Sequence, residues 1–443
     1  MARLRDFLRS LELRGLLHRV SSEVSTRYEC AYWLKRFDGT KAVLFERPRG
    51  YSIPVAGNVI ANRGVLYEVL GARSDEQAFS RILDATQRPV PLKVVGPLEG
   101  FRELPGVDRL PVLLSYEGEA GPYLTSAIVI AREPGGEALN ASIHRMLVLD
   151  GRRLAVRVVP RHLHYMLSKA REAGANLPVA VVVGAPPEVY VAAASSPPYG
   201  VFELEVANAL MGGALAAYDA DGLPVPVESE IVILGELRTD VEAPEGPFVD
   251  ALGTLDVVRR QPVLEVKRVL VREDAVYYAI LQGGCEHKLL MGFYREALIW
   301  DSVRRVVPRV GSVRLLEAGG GWLVAAISIA KSCDGDAKNA ILAAFAAHPS
   351  LKLAVVVDED VNVEDPGELL WAIATRVQPH EDLMIFEGLR GSSLDPSADP
   401  VTLTTSKLGI DATIPLAKDR KLFTRARIPW PPTGEGAAQR RPA

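Results

Sequence analysis

Cysteine is scarce in this chain: Cys30, Cys285 and Cys333 stand far apart and form no Cys-x-x-Cys pair. That suggests neither a disulfide framework nor a thiolate metal site, and it suits a reducing, cytoplasmic setting. Long apolar runs are also missing, so no segment reads as a membrane span. Neither sign of charge dominates. The formal net charge is −4, without the basic excess expected of a nucleic-acid-binding surface. Nucleic acid is therefore not the expected partner, although clustered Arg and Lys could still build a local anion site. Asn and Gln together number about thirteen while arginine is plentiful, a bias of the kind found in heat-adapted proteins.

What is present describes a globular chain of two or three domains, because 443 residues exceed one ordinary core. At the N-terminus Leu4, Phe7, Leu8, Leu11 and Leu16 recur at helical spacing between Arg3, Arg5, Arg9 and Arg14. An amphipathic surface helix is expected there; Asp6, Glu12 and Glu23 argue against a targeting peptide. The first hundred residues alternate helical and strand-like patterns, and a Pro/Gly-punctuated stretch runs from Pro89 to Pro111. From Thr125 to Leu281 short β-branched runs predominate: Ala127 to Ala131, Arg153 to Val159, Val179 to Val183, Glu230 to Glu236, Val263 to Val271 and Ala275 to Leu281. They predict a barrel or sandwich with inserted helices.

Beyond a helical connector, Tyr294 to Val307, the pattern changes. Trp322 to Ala330 reads as a strand, Ala337 to Ala347 as a helix, Leu353 to Val357 as a strand, Gly367 to Val377 as a helix and Leu383 to Phe386 as a strand. Such alternation predicts βαβ units and a mostly parallel sheet. The expected fold is thus a multidomain α/β protein divided as 1–110, 111–293 and 294–424. The polar tail 425–443 is expected to be disordered or to lie on a partner subunit.

Four clusters carry possible chemistry. They are Asn140-Ala-Ser-Ile-His-Arg145, Pro160-Arg161-His162, Ser195-Ser196-Pro-Pro-Tyr-Gly-Val-Phe-Glu203 and Glu245-Gly-Pro-Phe-Val-Asp250. An amide oxygen, an imidazole and a carboxylate suit a divalent ion such as Mn²⁺ or Mg²⁺. Each also has a plain reading: Asn140 as a turn residue, His162 as a surface helix start, Glu203 as an exposed helix carboxylate. In the fourth cluster Gly246 and Pro247 prevent one continuous helix, so both acids lie on a loop entering a strand. An arginine nearby would divide their roles, leaving one acid paired and ionised and the other free to donate a proton.

Taken together, and in this order, the clusters resemble the UbiD-like decarboxylases, from the N-terminal helix to about Thr413. Asn140 stands five residues before Arg145; His162 follows a strand in a Pro-x-His context; Glu203 follows Ser195-Ser196-x-Pro198 and Gly200-Val201, with Glu205 as a substitute two positions off the pattern. Glu245-Gly246-Pro247 and Asp250 match the family's acidic element, except that Val249 stands where glycine is usual. Val356 to Asn362, Trp371 to Arg376 and Ser406 to Thr413 repeat further family patterns.

The resemblance implies an N-terminal α/β portion, a split β-barrel that binds flavin, and a C-terminal α/β domain used in dimerisation. It implies prenylated FMN lined by Ile143, His144, Arg145, Arg157, Val158, Val159, Arg161, His162, Ser195 and Ser196, with Lys407 reaching its phosphate. Asn140, His162 and Glu203 would hold Mn²⁺ or Mg²⁺, with K⁺ as a possible further ion, and a flavin prenyltransferase would supply the cofactor.

The implied activity is non-oxidative decarboxylation of an α,β-unsaturated acid. Arg145 would orient the substrate carboxylate and pair with Glu245, while Asp250 delivers the proton that replaces CO₂. General acid catalysis contributes roughly 10²–10⁴-fold, less than enzymes commonly need, so side chains alone look insufficient and an electron-sink cofactor would supply the remainder. Composition and compactness lean toward a phosphorylated anhydromevalonate, as in archaeal isoprenoid synthesis. Lys288 and Arg295 are the candidate cations for its phosphate. Alternatives are an aromatic-acid decarboxylase of the 4-hydroxy-3-polyprenylbenzoate type and a non-catalytic flavin-binding subunit.

Overall fold

The computed structural model describes residues 3–426, so the tail expected to be disordered lies almost wholly outside the described residues. The Leu4–Leu13 helix forms as expected, burying Leu4, Leu8 and Leu11 and exposing Leu13. It leads into a four-stranded sheet of Leu17–Val24, Ala42–Pro48, Val55–Gly57 and Tyr277–Tyr278. The last of these corrects an expectation. Ala275 to Leu281 yields only a two-residue strand, and it pairs with Val55–Ala56 rather than joining the barrel. Both tyrosines are buried, Tyr278 with its ring edge-on to Tyr190, a placement that strand periodicity does not reveal.

The middle of the chain builds a nine-stranded sheet whose pairs are antiparallel. Ile231–Glu245 and Arg259–Val271 form its long centre, and Leu139–Ile143 lies at one edge, paired to Ile128–Arg132. The expected strand from Arg153 to Val159 ends at Val156. There the Arg157 amide turns to the Arg145 carbonyl and the Val158 amide to Gln261 Oε1, so the chain leaves the ladder. That departure carries 157–162 toward the concave face.

In the C-terminal part, Val324–Ala330, Leu353–Asp358 and Thr404–Ala412 run parallel, flanked by antiparallel edges Arg309–Leu315 and Leu383–Arg390. The helices between them, Asp336–Ala347 and Pro366–Arg376, fall where the alternation predicts. The connecting helix begins earlier than expected, at Cys285 rather than Tyr294, and runs to Val303. Gly284 caps it and Glu286 occupies its first turn.

Glu286 anchors this helix. One carboxylate oxygen accepts from the Ile60 amide at 2.6 Å and from the Tyr278 hydroxyl at 2.6 Å. Burial pushes Glu286 up to about 7. A folded-state value above the ordinary carboxylate range stabilises the fold at low pH, and that stability is lost as pH rises through about 7. The difference corresponds to about 3 kcal/mol. Glu286→Gln is therefore expected to flatten the fall of Tm between pH 5 and 8.5; parallel curves for the two proteins would refute this.

Candidate active site

Asn140, His162 and Glu203 come from three elements and line one cavity of about 530 Å³. Asn140 is not a turn residue: it lies within Leu139–Ile143, in register with Ala131. His162 and Glu203 each open a helix, His162–Glu172 and Glu203–Leu210. Glu203 is not an exposed carboxylate either, at 1% exposure. Its oxygens accept from Asn140 Nδ2 at 2.8 Å and the Ala141 amide at 2.7 Å, and burial pushes it up to about 7. Glu205 lies on the same helix but does not line the cavity.

This arrangement fits a divalent cation. Among the described residues no basic side chain pairs with Glu203, so its charge lacks a counterion. A second observation concerns Ser142, whose hydroxyl is 2.9 Å from both Asn140 Oδ1 and His144 Nε2. His144 Nδ1 faces the Arg157 carbonyl at 2.8 Å and must donate to it, so neutral His144 offers Nε2 as an acceptor. Burial, which lowers His144 to about 4, keeps it neutral. One hydroxyl proton is then shared between two acceptors. A cation on Asn140 Oδ1 would release that proton to His144. Burial and then Arg161 lower His162 as well, which leaves its imidazole neutral and able to ligate. Clusters of three His, Cys, Asp or Glu are absent among the described residues; an amide takes one place in this set.

The catalytic candidates also converge. Glu245 ends the Ile231–Glu245 strand, fully buried, and Arg145 grips it through Nε at 2.8 Å and Nη2 at 3.0 Å. Gly246 follows at φ +102°, with a position for Cβ only 3.0 Å from the Val257 carbonyl oxygen, so a side chain would be both strained and crowded there. Phe248–Val249 pairs with Leu255–Asp256 in a small ribbon, and Asp250 follows directly. Val249 occupies this ribbon without a positive φ, buried, so the family's usual glycine is not needed here. Asp250 lines the cavity, accepts from the Leu252 amide at 2.8 Å and the Thr254 hydroxyl at 3.2 Å, and is raised by burial above the ordinary carboxylate range.

Comparison with known proteins accounts for nearly the whole chain. Residues 8–86, 96–285 and 288–412 match, in turn, the N-terminal, Rift-related and C-terminal domains of 3-octaprenyl-4-hydroxybenzoate carboxy-lyase, the UbiD family. An anhydromevalonate phosphate decarboxylase of Aeropyrum pernix is 47% identical, covering 97% of this chain and 96% of its own. One from Methanothermobacter thermautotrophicus is 43% identical, covering 94% and 98%. The chain belongs to the UbiD family. Among solved structures, the UbiD-class enzyme HmfF of Pelotomaculum thermopropionicum in complex with FMN superposes with a TM-score of 0.92 at 38% identity, covering 96% of this chain and 97% of that one. An evolved dimeric form of HmfF in complex with prFMN gives 0.88 at 36%, covering 97% of each.

Of the residues expected to line the UbiD flavin, the cavity includes Ile143, His144, Arg145, Arg157, Val159, Arg161, His162 and Ser196. Three others are placed elsewhere. Val158 is buried behind the lining, with its amide on Gln261, and the Ser195 hydroxyl donates to the Ala192 carbonyl within its own helix. Lys407 is in the Thr404–Ala412 strand, its ammonium on the Pro349 carbonyl and over the Phe345 ring, so in this structure it does not reach the cavity. Of the two cations considered for a substrate phosphate, Arg295 lines this cavity and Lys288 does not. Lys288 lines a separate cavity, where Gly321 approaches its backbone so closely that a Cβ at Gly321 would lie 2.9 Å from Lys288 Cβ.

Sequence reasoning missed Asp256 and His287. Asp256 lies 2.9 Å from Arg145 Nη2. His287 lines the cavity, with Nδ1 accepting from the Gly283 amide at 3.1 Å, which leaves Nε2 to carry the ring proton. Burial and then the neighbouring cations Lys288 and Arg145 lower it to about 4. A helix start placed at Gly284 by its capping position and Glu286 would have brought His287 onto the same helix as Arg295.

Proposed function

We propose that this enzyme decarboxylates trans-anhydromevalonate 5-phosphate, using prenylated FMN and Mn²⁺ or Mg²⁺, in a cytoplasmic setting. The observation that carries the substrate assignment is Arg295. It lines the cavity with no carboxylate in ion-pair distance among the described residues, flanked by the Tyr294 and Trp322 rings. Burial and then Arg161 push it down to about 10. A buried guanidinium without a counterion is a site prepared for an anion. Arg157 and Arg161, the other cations lacking carboxylate partners in the lining, are the ones that the family resemblance assigns to the flavin. The substrate in the names of the archaeal relatives carries one phosphate of its own, besides that of the flavin, and Arg295 can receive it.

The residues then divide the work. Asn140, His162 and Glu203 would hold the metal, and Arg157, Arg161 and Ser196 would face the flavin. When bound, prenylated FMN supplies the electron sink for the pair left as CO₂ departs. Arg145 receives the substrate carboxylate on its free Nη1. Glu245, buried and paired, keeps the guanidinium charged and oriented. Asp250 transfers its proton to the carbon that carried the carboxylate, and solvent restores it. The family's dimerisation through the C-terminal domain belongs to the same proposal. Ile385 and Leu389, exposed on the Leu383–Arg390 edge, are consistent with it.

The test is reconstitution with prenylated FMN and Mn²⁺ without oxygen, with CO₂ release followed on a panel of unsaturated acids. Activity confined to aromatic acids would refute the substrate. Arg295→Ala is expected to lower kcat/KM for the phosphorylated acid about 100-fold, mainly through KM, as loss of a charge-assisted pair implies. An equal loss on the unphosphorylated acid would remove Arg295 as the phosphate anchor.

A further inference from the structure

The ribbon that carries Asp250 returns through Asp256, which pairs in register with Phe248. Arg145 has three nitrogens, and the structure shows where their protons go. Nε and one proton of Nη2 meet Glu245, at 2.8 and 3.0 Å. The other proton of Nη2 meets Asp256 Oδ2 at 2.9 Å, and the Phe248 ring lies against the guanidinium with its centroid 4.3 Å away. Nη1 alone has no acceptor among the described residues. Asp256 is itself firmly held: Oδ1 accepts from Arg259 Nη1 at 2.5 Å and from the Val257 amide at 2.9 Å.

We propose that Asp256 is a positioning residue that stops Arg145 from clamping the substrate carboxylate with two parallel hydrogen bonds. A guanidinium has two edges suited to a bidentate carboxylate. Glu245 occupies the edge formed by Nε and Nη2, and Asp256 takes half of the edge formed by Nη1 and Nη2. An incoming carboxylate therefore meets Nη1 alone, next to a fixed negative charge. That weak grip favours the reaction. The carboxylate charge exists in the ground state and is gone in neutral CO₂, so any bond that strengthens it raises the barrier to its loss.

This inference rests on Arg145 as the carboxylate anchor, and its test has an unusual sign. Removing Asp256 frees the second edge, so Asp256→Ala in the loaded enzyme is expected to lower KM and kcat together, each about ten-fold. Asp256→Asn keeps an oxygen for Nη2 but loses the charge, and is expected to lie between, with KM about three-fold below wild type. A readout independent of turnover is the Kd of mevalonate 5-phosphate, which has the carboxylate and the phosphate but no double bond to react. It should tighten about ten-fold in Asp256→Ala. A purely structural residue would raise KM and Kd when lost, and a rise or no change in either variant overturns the proposal. If Asp256→Ala does not load flavin, Asp256→Asn decides alone on the same criterion. Should wild type prefer another acid of the panel, the substrate assignment fails; that acid and its saturated analogue then serve, and the test of Asp256 stands.

Discussion

Asp250→Asn is expected to lose turnover by about 10³-fold while binding flavin and metal in full. General acid catalysis is worth roughly 10²–10⁴-fold, and the asparagine amide cannot deliver a proton to carbon. The substitution is nearly isosteric, and the Leu252 amide and Thr254 hydroxyl that hold Asp250 can still reach an amide oxygen. Metal-to-protein ratio and flavin absorbance should therefore match wild type; retention of a tenth of the activity would end the proton-donor assignment. The pH profile carries the same assignment with a definite sign. Burial raises Asp250, and the nearby charge of Asp256 adds to this, so its proton persists above the ordinary carboxylate range. Activity should be full on the acid side of that value and fall as pH rises through it. In Asp250→Asn the residual activity should lack this limb.

The second large effect concerns the metal. His162→Ala is expected to bring down metal and flavin occupancy together, because the ion would tie the flavin phosphate to the protein and a phosphate beside Glu203 would otherwise be repelled. Elemental analysis and flavin absorbance after reconstitution measure it, and a variant retaining stoichiometric metal would remove His162 from the ligand set. Glu203→Gln separates binding from folding. Glu203 stands at about 7 without a basic partner, so in the empty protein its stabilising contribution is present at low pH and lost as pH rises through about 7. The glutamine variant should thus melt no lower than wild type at pH 8 when metal-free, yet fail to take up Mn²⁺. Functional sites often carry such a cost in stability.

Much of this was legible in the residues. The C-terminal alternation survives in the structure because its strands, buried on both faces, are short apolar runs separated by helices, the second of them capped by Asp365. The four polar clusters stand out against the apolar strands, but each also has a plain structural reading. It is their order and spacing, matching the UbiD pattern, that singles out the metal and catalytic candidates. What escaped did so for tertiary reasons. Asp256 lies on the far side of a ribbon, and only the register with Phe248 brings it to Arg145. Lys288 and Arg295 are seven residues apart on one helix, yet they line different cavities, which helical spacing alone does not distinguish. The end of the Arg153–Val156 strand depends on Gln261, a partner more than a hundred residues onward.

The helix Cys285–Val303 divides the cavity's lining in a way that matters for how such enzymes diversify. The candidate metal ligands Asn140, His162 and Glu203, with Arg145 and Asp250, all precede Gly283, whereas His287, Arg295, Trp322 and Leu394 follow it. Trp322 is braced within the C-terminal part, its indole N–H donating to Ser392 Oγ and its carbonyl meeting His348 Nε2. On the roles proposed above, the bond-breaking residues and the phosphate anchor Arg295 thus lie in consecutive stretches of the gene. A single recombination at Gly283-Gly284 could exchange the acid that is accepted while leaving the bond-breaking apparatus inherited intact.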